Sequence, residues 1–118
     1  MIFRCTEAAL GKKAGDIVTL DVRGLSSFTD YMIICNGSSD RQVQAIAASI
    51  EESLKKFRIL PLGIEGEKSG KWILMDYGDV IIHIFYEHTR EFYDIERLWS
   101  DAPRIKVENI DYELSTGA

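Results

Sequence analysis

The sequence predicts an α/β domain with a mixed, five-stranded sheet and helices packed against it. Three observations point there. Runs of strand length, rich in β-branched and aromatic residues or bounded by Pro and Gly, recur five times. One segment, 43–57, repeats apolar residues at the helical period. The passage from strand through helix to strand over residues 31–65 reads as a right-handed crossover.

Taken in order, residues 3–10 form a short helix, closed by Gly11 and Gly15. "DIVTLDV" (16–22) and "DYMIICN" (30–36) are strands, joined by the hairpin-length loop "RGLSSFT". Val43, Ile46, Ala47, Ile50, Leu54 and Phe57 then line one side of a helix, while Glu51–Lys55 and Glu52–Lys56 pair at i,i+4 on its wet side. "LPLGIEG" gives a third strand, and "KWILMDYGDVIIHIF" (71–85) a tight hairpin. "TREFYDIERLWS" (89–100) is a final helix with Phe92, Ile95 and Trp99 along one side. No repeat or linker interrupts the chain, so residues 1–102 read as one domain and 103–118 as a tail without an assignable motif.

Composition narrows the function classes. A chain of 118 residues, 46% apolar and 28% charged, can bury a core without disulfides or metals. No apolar run approaches the ~20 residues that span a bilayer, and "MIFRCTEAALGKKAGD" lacks the apolar core of a secretory signal. Cys5 and Cys35 stand alone in unlike contexts, which suits a reducing, cytoplasmic setting. The net charge is −5 and the basic residues are scattered, a poor match to naked nucleic acid. An acidic domain can be drawn to a basic protein surface, though the same balance also simply keeps a small protein soluble.

The stretch "IICNGSSDRQVQ" poses the catalytic question, because a Gly-Ser turn at a helix start can cradle a phosphate. Ser39 and Gln42 have capping-box spacing, which accounts for the turn without a ligand. Arg41 sits against the helix dipole and so could serve an anion or a carboxylate. Nucleotidyl transfer also needs clustered acids to hold metal, and the nearest pair, Asp76 and Asp79, flanks a turn instead of alternating on a strand. His83 and His88 lack zinc spacing, and neither cysteine belongs to a nucleophile motif. The expectation is therefore no catalytic residue, no metal and no cofactor, with His83 a hydrogen-bonded sheet residue.

Binding is better placed on the hairpin. With Tyr77-Gly78 as a two-residue turn, Asp76 opposes Asp79, Leu74 opposes Ile81 and Trp72 opposes His83. Ile73, Met75, Val80, Ile82 and Ile84 then share a core face. Trp72, Leu74, Ile81, His83 and Phe85 share the other, rimmed by Asp76 and Asp79. Either that second face is partly open and Trp72 anchors a partner, or the last helix covers it through Phe92 and Trp99.

"DIVTLDVRGLSSFTDYMIICNGSSDRQVQAIA", "LGIEGEKSGKWILMDYGDVIIHIF" and "REFYDIERLWSDA" together resemble the ribosomal silencing factor family, RsfS, also called Iojap, over roughly residues 8–102. The resemblance implies a fold similar to that of nucleotidyltransferases without their catalytic acids. It also implies binding to the large ribosomal subunit at a basic ribosomal protein, the fourteenth of the large-subunit series. Joining of the small subunit is thereby blocked sterically, translation falls when nutrients are scarce, and the free protein is a homodimer. By position, the partner surface centres on Trp72; the face argument adds Leu74, Ile81 and His83, and Asp76 and Asp79 are candidates to meet basic residues. The segment before "KKAGDIV" is shorter than the first helix usual in the family. Two rival readings are a nucleotidyltransferase-like nucleotide-binding enzyme and a dimeric adaptor for another basic protein.

Overall fold

The computed structural model describes residues 1–106. Along the chain lie α1 (Ile2–Gly11), β1 (Gly15–Asp21), β2 (Tyr31–Gly37), α2 (Asp40–Lys55), β3 (Gly63–Glu65), β4 (Trp72–Asp76), β5 (Val80–Tyr86), α3 (Glu87–Tyr93) and α4 (Ile95–Leu98). The five strands form one sheet in the order β1-β2-β5-β4-β3. Only β2 and β5 are parallel, from Tyr31 opposite Val80 to Gly37 opposite Tyr86; the other pairs are antiparallel. The mixed α/β architecture expected from the sequence is the one observed.

Strand alternation gives the sheet two faces with separate cores. On one, Ile33 and Cys35 of β2, Ile73 and Met75 of β4, and Val80, Ile82 and Ile84 of β5 are buried beneath α1 and α2. The stripe Val43, Ile46, Ala47, Ile50 and Leu54 delivers α2 to this core, and Ile2, Cys5 and Ala9 deliver α1. A fully buried aliphatic side chain contributes roughly 1.5–3 kcal/mol, so this layer carries much of the stability. The second core is smaller: Leu20, Val22, Met32, Ile34 and Phe85, closed by Ile95, Trp99 and Ala102.

Two expectations need correction. Phe57 does not continue the α2 stripe. After Lys55 the chain tightens into bonds from Phe57 N–H to Leu54 and Arg58 N–H to Lys55, and Arg58 turns left-handed at φ 60°. That tighter turn carries Phe57 off the helical period, and its half-exposed ring lies 3.6 Å beneath the Arg4 guanidinium.

The final helix is also two helices, broken at Asp94, which adopts φ 43°. Arg90 fixes the break. Its Nε donates to Glu96 Oε2 at 3.0 Å, and its Nη1 donates to the Asp16 carbonyl at 2.8 Å and to Asn36 Oδ1 at 2.6 Å. Ile95 and Trp99 therefore reach the second core, while Phe92 is left 81% exposed.

Beyond α4, Pro103 and Ile105 bond along the outer edge of β1, at Asp21 and Thr19. The start of the segment set apart as a tail is thus laid against the sheet; its remainder, 107–118, lies outside the described residues. Among the described residues no helix is long and apolar enough to cross a membrane.

Candidate functional site

The Gly-Ser turn between β2 and α2 is occupied by its own side chains. Ser39 Oγ accepts from the Gln42 N–H at 3.1 Å, the expected N-cap. Gln42 Oε1 reaches back one residue further than a capping box requires, accepting from Ser38 N–H at 2.6 Å and Ser38 Oγ at 2.9 Å. The amide nitrogen of Gln42 donates in turn to the Lys12 and Lys13 carbonyls, tying α1 to the start of α2. A phosphate at this turn would compete with Gln42 for the Ser38 donors. Arg41 is exposed and forms no ion pair among the described residues.

The hairpin turns one residue later than the sequence suggested. Gly78-Asp79 is the two-residue turn, closed by Tyr77 N–H to the Val80 carbonyl at 3.0 Å. Gly78 takes the positive φ, 85°, which Tyr77 would otherwise have had to share, and its N–H donates to Asp76 Oδ1 at 2.8 Å. Trp72 therefore opposes Phe85, Leu74 opposes His83 and Asp76 opposes Ile81. The pairing moves by two residues, an even step, so the two side-chain sets stay intact on their faces.

On the second face Trp72 is half-buried in an aromatic cage. Phe85 lies 4.9 Å from its ring, and Tyr93 of α3 lies 4.8 Å away. Its Nε1–H donates to His83 Nδ1 at 3.1 Å. Because an indole nitrogen can only donate, His83 is held with its proton on Nε2. Burial pushes the His83 imidazole down to about 4, which keeps it neutral and preserves that bond. His83 thus has a hydrogen-bond partner within the sheet, as expected.

The predicted residues divide by exposure. Trp72, Leu74 and Asp76 of β4 are partly exposed, and Asp79 is exposed at the turn. Ile81 and His83, paired across from Asp76 and Leu74 on β5, are buried at 8% and 7% exposure. Asp79 also ties the turn to β2, its carbonyl accepting from the Asp30 and Tyr31 N–H groups at 3.0 Å. The last helices cover this face only in part: Ile95 and Trp99 pack over its β1–β2–β5 side and Tyr93 packs on Trp72, while Phe92, expected to cover it, is exposed and Leu74 stays partly open. Sequence reasoning missed Tyr93, which completes the cage. Its signal was present in "EFY", but the uninterrupted helix assumed there assigned the core side to Phe92.

Fold and face together define a small α/β domain, closed on one side by helices, that presents a pinned indole with carboxylates on the other. Comparison with known proteins makes the class specific. The family model described as ribosomal silencing factor during starvation, RsfS, matches residues 1–117. The chain is 45% identical over 104 residues to the Bacillus subtilis ribosomal silencing factor RsfS, covering 88% of this chain and 86% of that protein. Against the Haemophilus influenzae protein of the same name it is 47% identical over 90 residues, covering 76% and 88%. It is also 35% identical to the chloroplastic protein Iojap of Zea mays, covering 86% of this chain and 44% of that one. A crystal structure of a Chromobacterium violaceum protein superposes with a TM-score of 0.82 at 40% identity, covering 84% and 82%. The chain belongs to the ribosomal silencing factor family.

Proposed function

We infer that the protein silences translation by occlusion and without catalysis. It docks on the large ribosomal subunit at a basic ribosomal protein, the fourteenth of that subunit's series, and leaves no room for the small subunit to join. Family membership supports the ribosomal setting, and one mammalian relative, 34% identical, is named mitochondrial assembly of ribosomal large subunit protein 1. The observation that carries the docking surface is the partly exposed indole of Trp72, held by Phe85, Tyr93 and His83 on a face rimmed by Asp76 and Asp79. A preorganised aromatic loses little entropy on docking, and the carboxylates complement a cationic partner.

Occlusion asks little of affinity. The body measures 39 × 33 × 24 Å, large enough to obstruct a contact surface wherever it sits. Micromolar binding, about −8 kcal/mol, lies within reach of an interface of ordinary size. The free protein is a homodimer in this reading, and it works in the cytoplasm. The test is cosedimentation with purified large subunits. Trp72→Ala, with secondary structure checked by circular dichroism, is expected to lose binding and to stop depleting joined ribosomes. Undiminished cosedimentation would refute the assignment of this face.

A further inference from the structure

The aromatic surface continues beyond the hairpin. Tyr93 packs on Trp72, and Phe92 packs edge-on against Tyr93, with centroids 5.1 Å apart and planes at 86°. Tyr93 is 51% exposed and Phe92 81%, so the ladder runs from buried Phe85 out to an almost free phenyl ring. α3 also borders a recess of about 710 Å³ whose lining includes Asp16, Glu87, Glu91, Asp94 and Glu96, though neither ring. Both guanidinium groups there, those of Arg90 and Arg104, are spent on Glu96. Asp16, Glu87, Glu91 and Asp94 form no ion pair among the described residues.

We propose that Phe92 and Tyr93 form a second docking point for the same ribosomal protein, and that they receive a basic segment of it. This rests on the function inferred above. Arginine or lysine side chains lie against the two rings, and Glu91 and Asp94, which bracket the pair in sequence, hold their charge. A cation over an aromatic face is attracted by the ring quadrupole, arginine most often. Nearby unpaired carboxylates favour a cationic occupant over a neutral one. A second copy of this chain would bring the same carboxylates face to face, which disfavours it as the occupant.

The test titrates large subunits with wild-type protein and with Phe92→Ala, Glu91→Lys and Trp72→Ala, at low and high salt, with oligomeric state followed by analytical ultracentrifugation. Phe92 is so exposed that its removal leaves the fold in place. Phe92→Ala is expected to weaken binding about tenfold or more. Glu91→Lys is expected to weaken binding at low salt and to flatten its salt dependence. Should Trp72→Ala abolish binding while Phe92→Ala and Glu91→Lys match wild type, the second docking point is wrong and the hairpin reading stands. Should Phe92→Ala dissociate a dimer yet bind large subunits normally, the ring serves a second copy and the proposal is overturned. If wild-type protein does not bind large subunits, both readings fall.

Discussion

Acid should weaken this protein through one imidazole. In the folded chain His83 stays neutral down to about pH 4, whereas unfolding releases it to an ordinary value of 6.5. Between those values the unfolded chain binds more protons, so stability falls as pH falls. Complete loss of the difference amounts to about 3 kcal/mol between pH 7 and pH 4, at 1.36 kcal/mol for each pH unit separating the two values. Carboxylates of the unfolded chain begin to protonate near pH 4, and Asp21, held below its ordinary 3.8 chiefly by hydrogen bonds from the Arg23 side chain, adds to the acid loss there. The measurement is therefore a comparison. Urea unfolding of wild type and His83→Phe is followed at pH 7 and pH 4. The variant leaves the indole N–H of Trp72 without its acceptor and should begin about 1–2 kcal/mol less stable at pH 7. It should then lose about 3 kcal/mol less than wild type on acidification. Equal losses in the two proteins would refute the claim that burial keeps His83 neutral.

Ser39→Ala removes the acceptor for the Gln42 N–H and should cost about 1 kcal/mol in denaturant unfolding, with binding to large subunits unchanged. At Gly66 an added Cβ would stand 2.0 Å from the Trp72 carbonyl oxygen, at a φ of 86°. Gly66→Ala should therefore lower stability by roughly 2–4 kcal/mol and disturb Trp72 fluorescence, both readable in one thermal scan. Cys5 and Cys35 are buried, and burial pushes the Cys35 thiol up to about 12. Both should resist a thiol reagent in native buffer and react once urea unfolds the chain.

The elements were legible in the sequence where one local rule decided them. The α2 stripe, the serine cap and the β-branched runs each reflect a single periodicity or a single hydrogen bond. The hairpin faces were legible for a sturdier reason, since their assignment survives any even slip in register. The register itself was not, because choosing between Tyr77-Gly78 and Gly78-Asp79 depends on which residue must accept a positive φ. The break at Asp94 could not be read locally. It is held by Arg90, whose partners Asp16 and Asn36 lie on β1 and β2, more than fifty positions away along the chain. Missing that long-range contact misplaced Phe92, and with it one wall of the candidate site.

The parallel pairing of β2 with β5 has a consequence for how the chain is born. One edge of β2 finds β1 immediately upstream, but its other edge waits from position 31 until position 80 has been made. Until then the middle of the sheet is an open strand with hydrophobic side chains on both surfaces, and α2 has only half a floor to lie on. Non-local pairing of this kind forms slowly and leaves the nascent chain prone to sticking. The chain therefore completes the centre of its sheet only after Tyr86 has been made, some fifty positions behind the strand that waits for it.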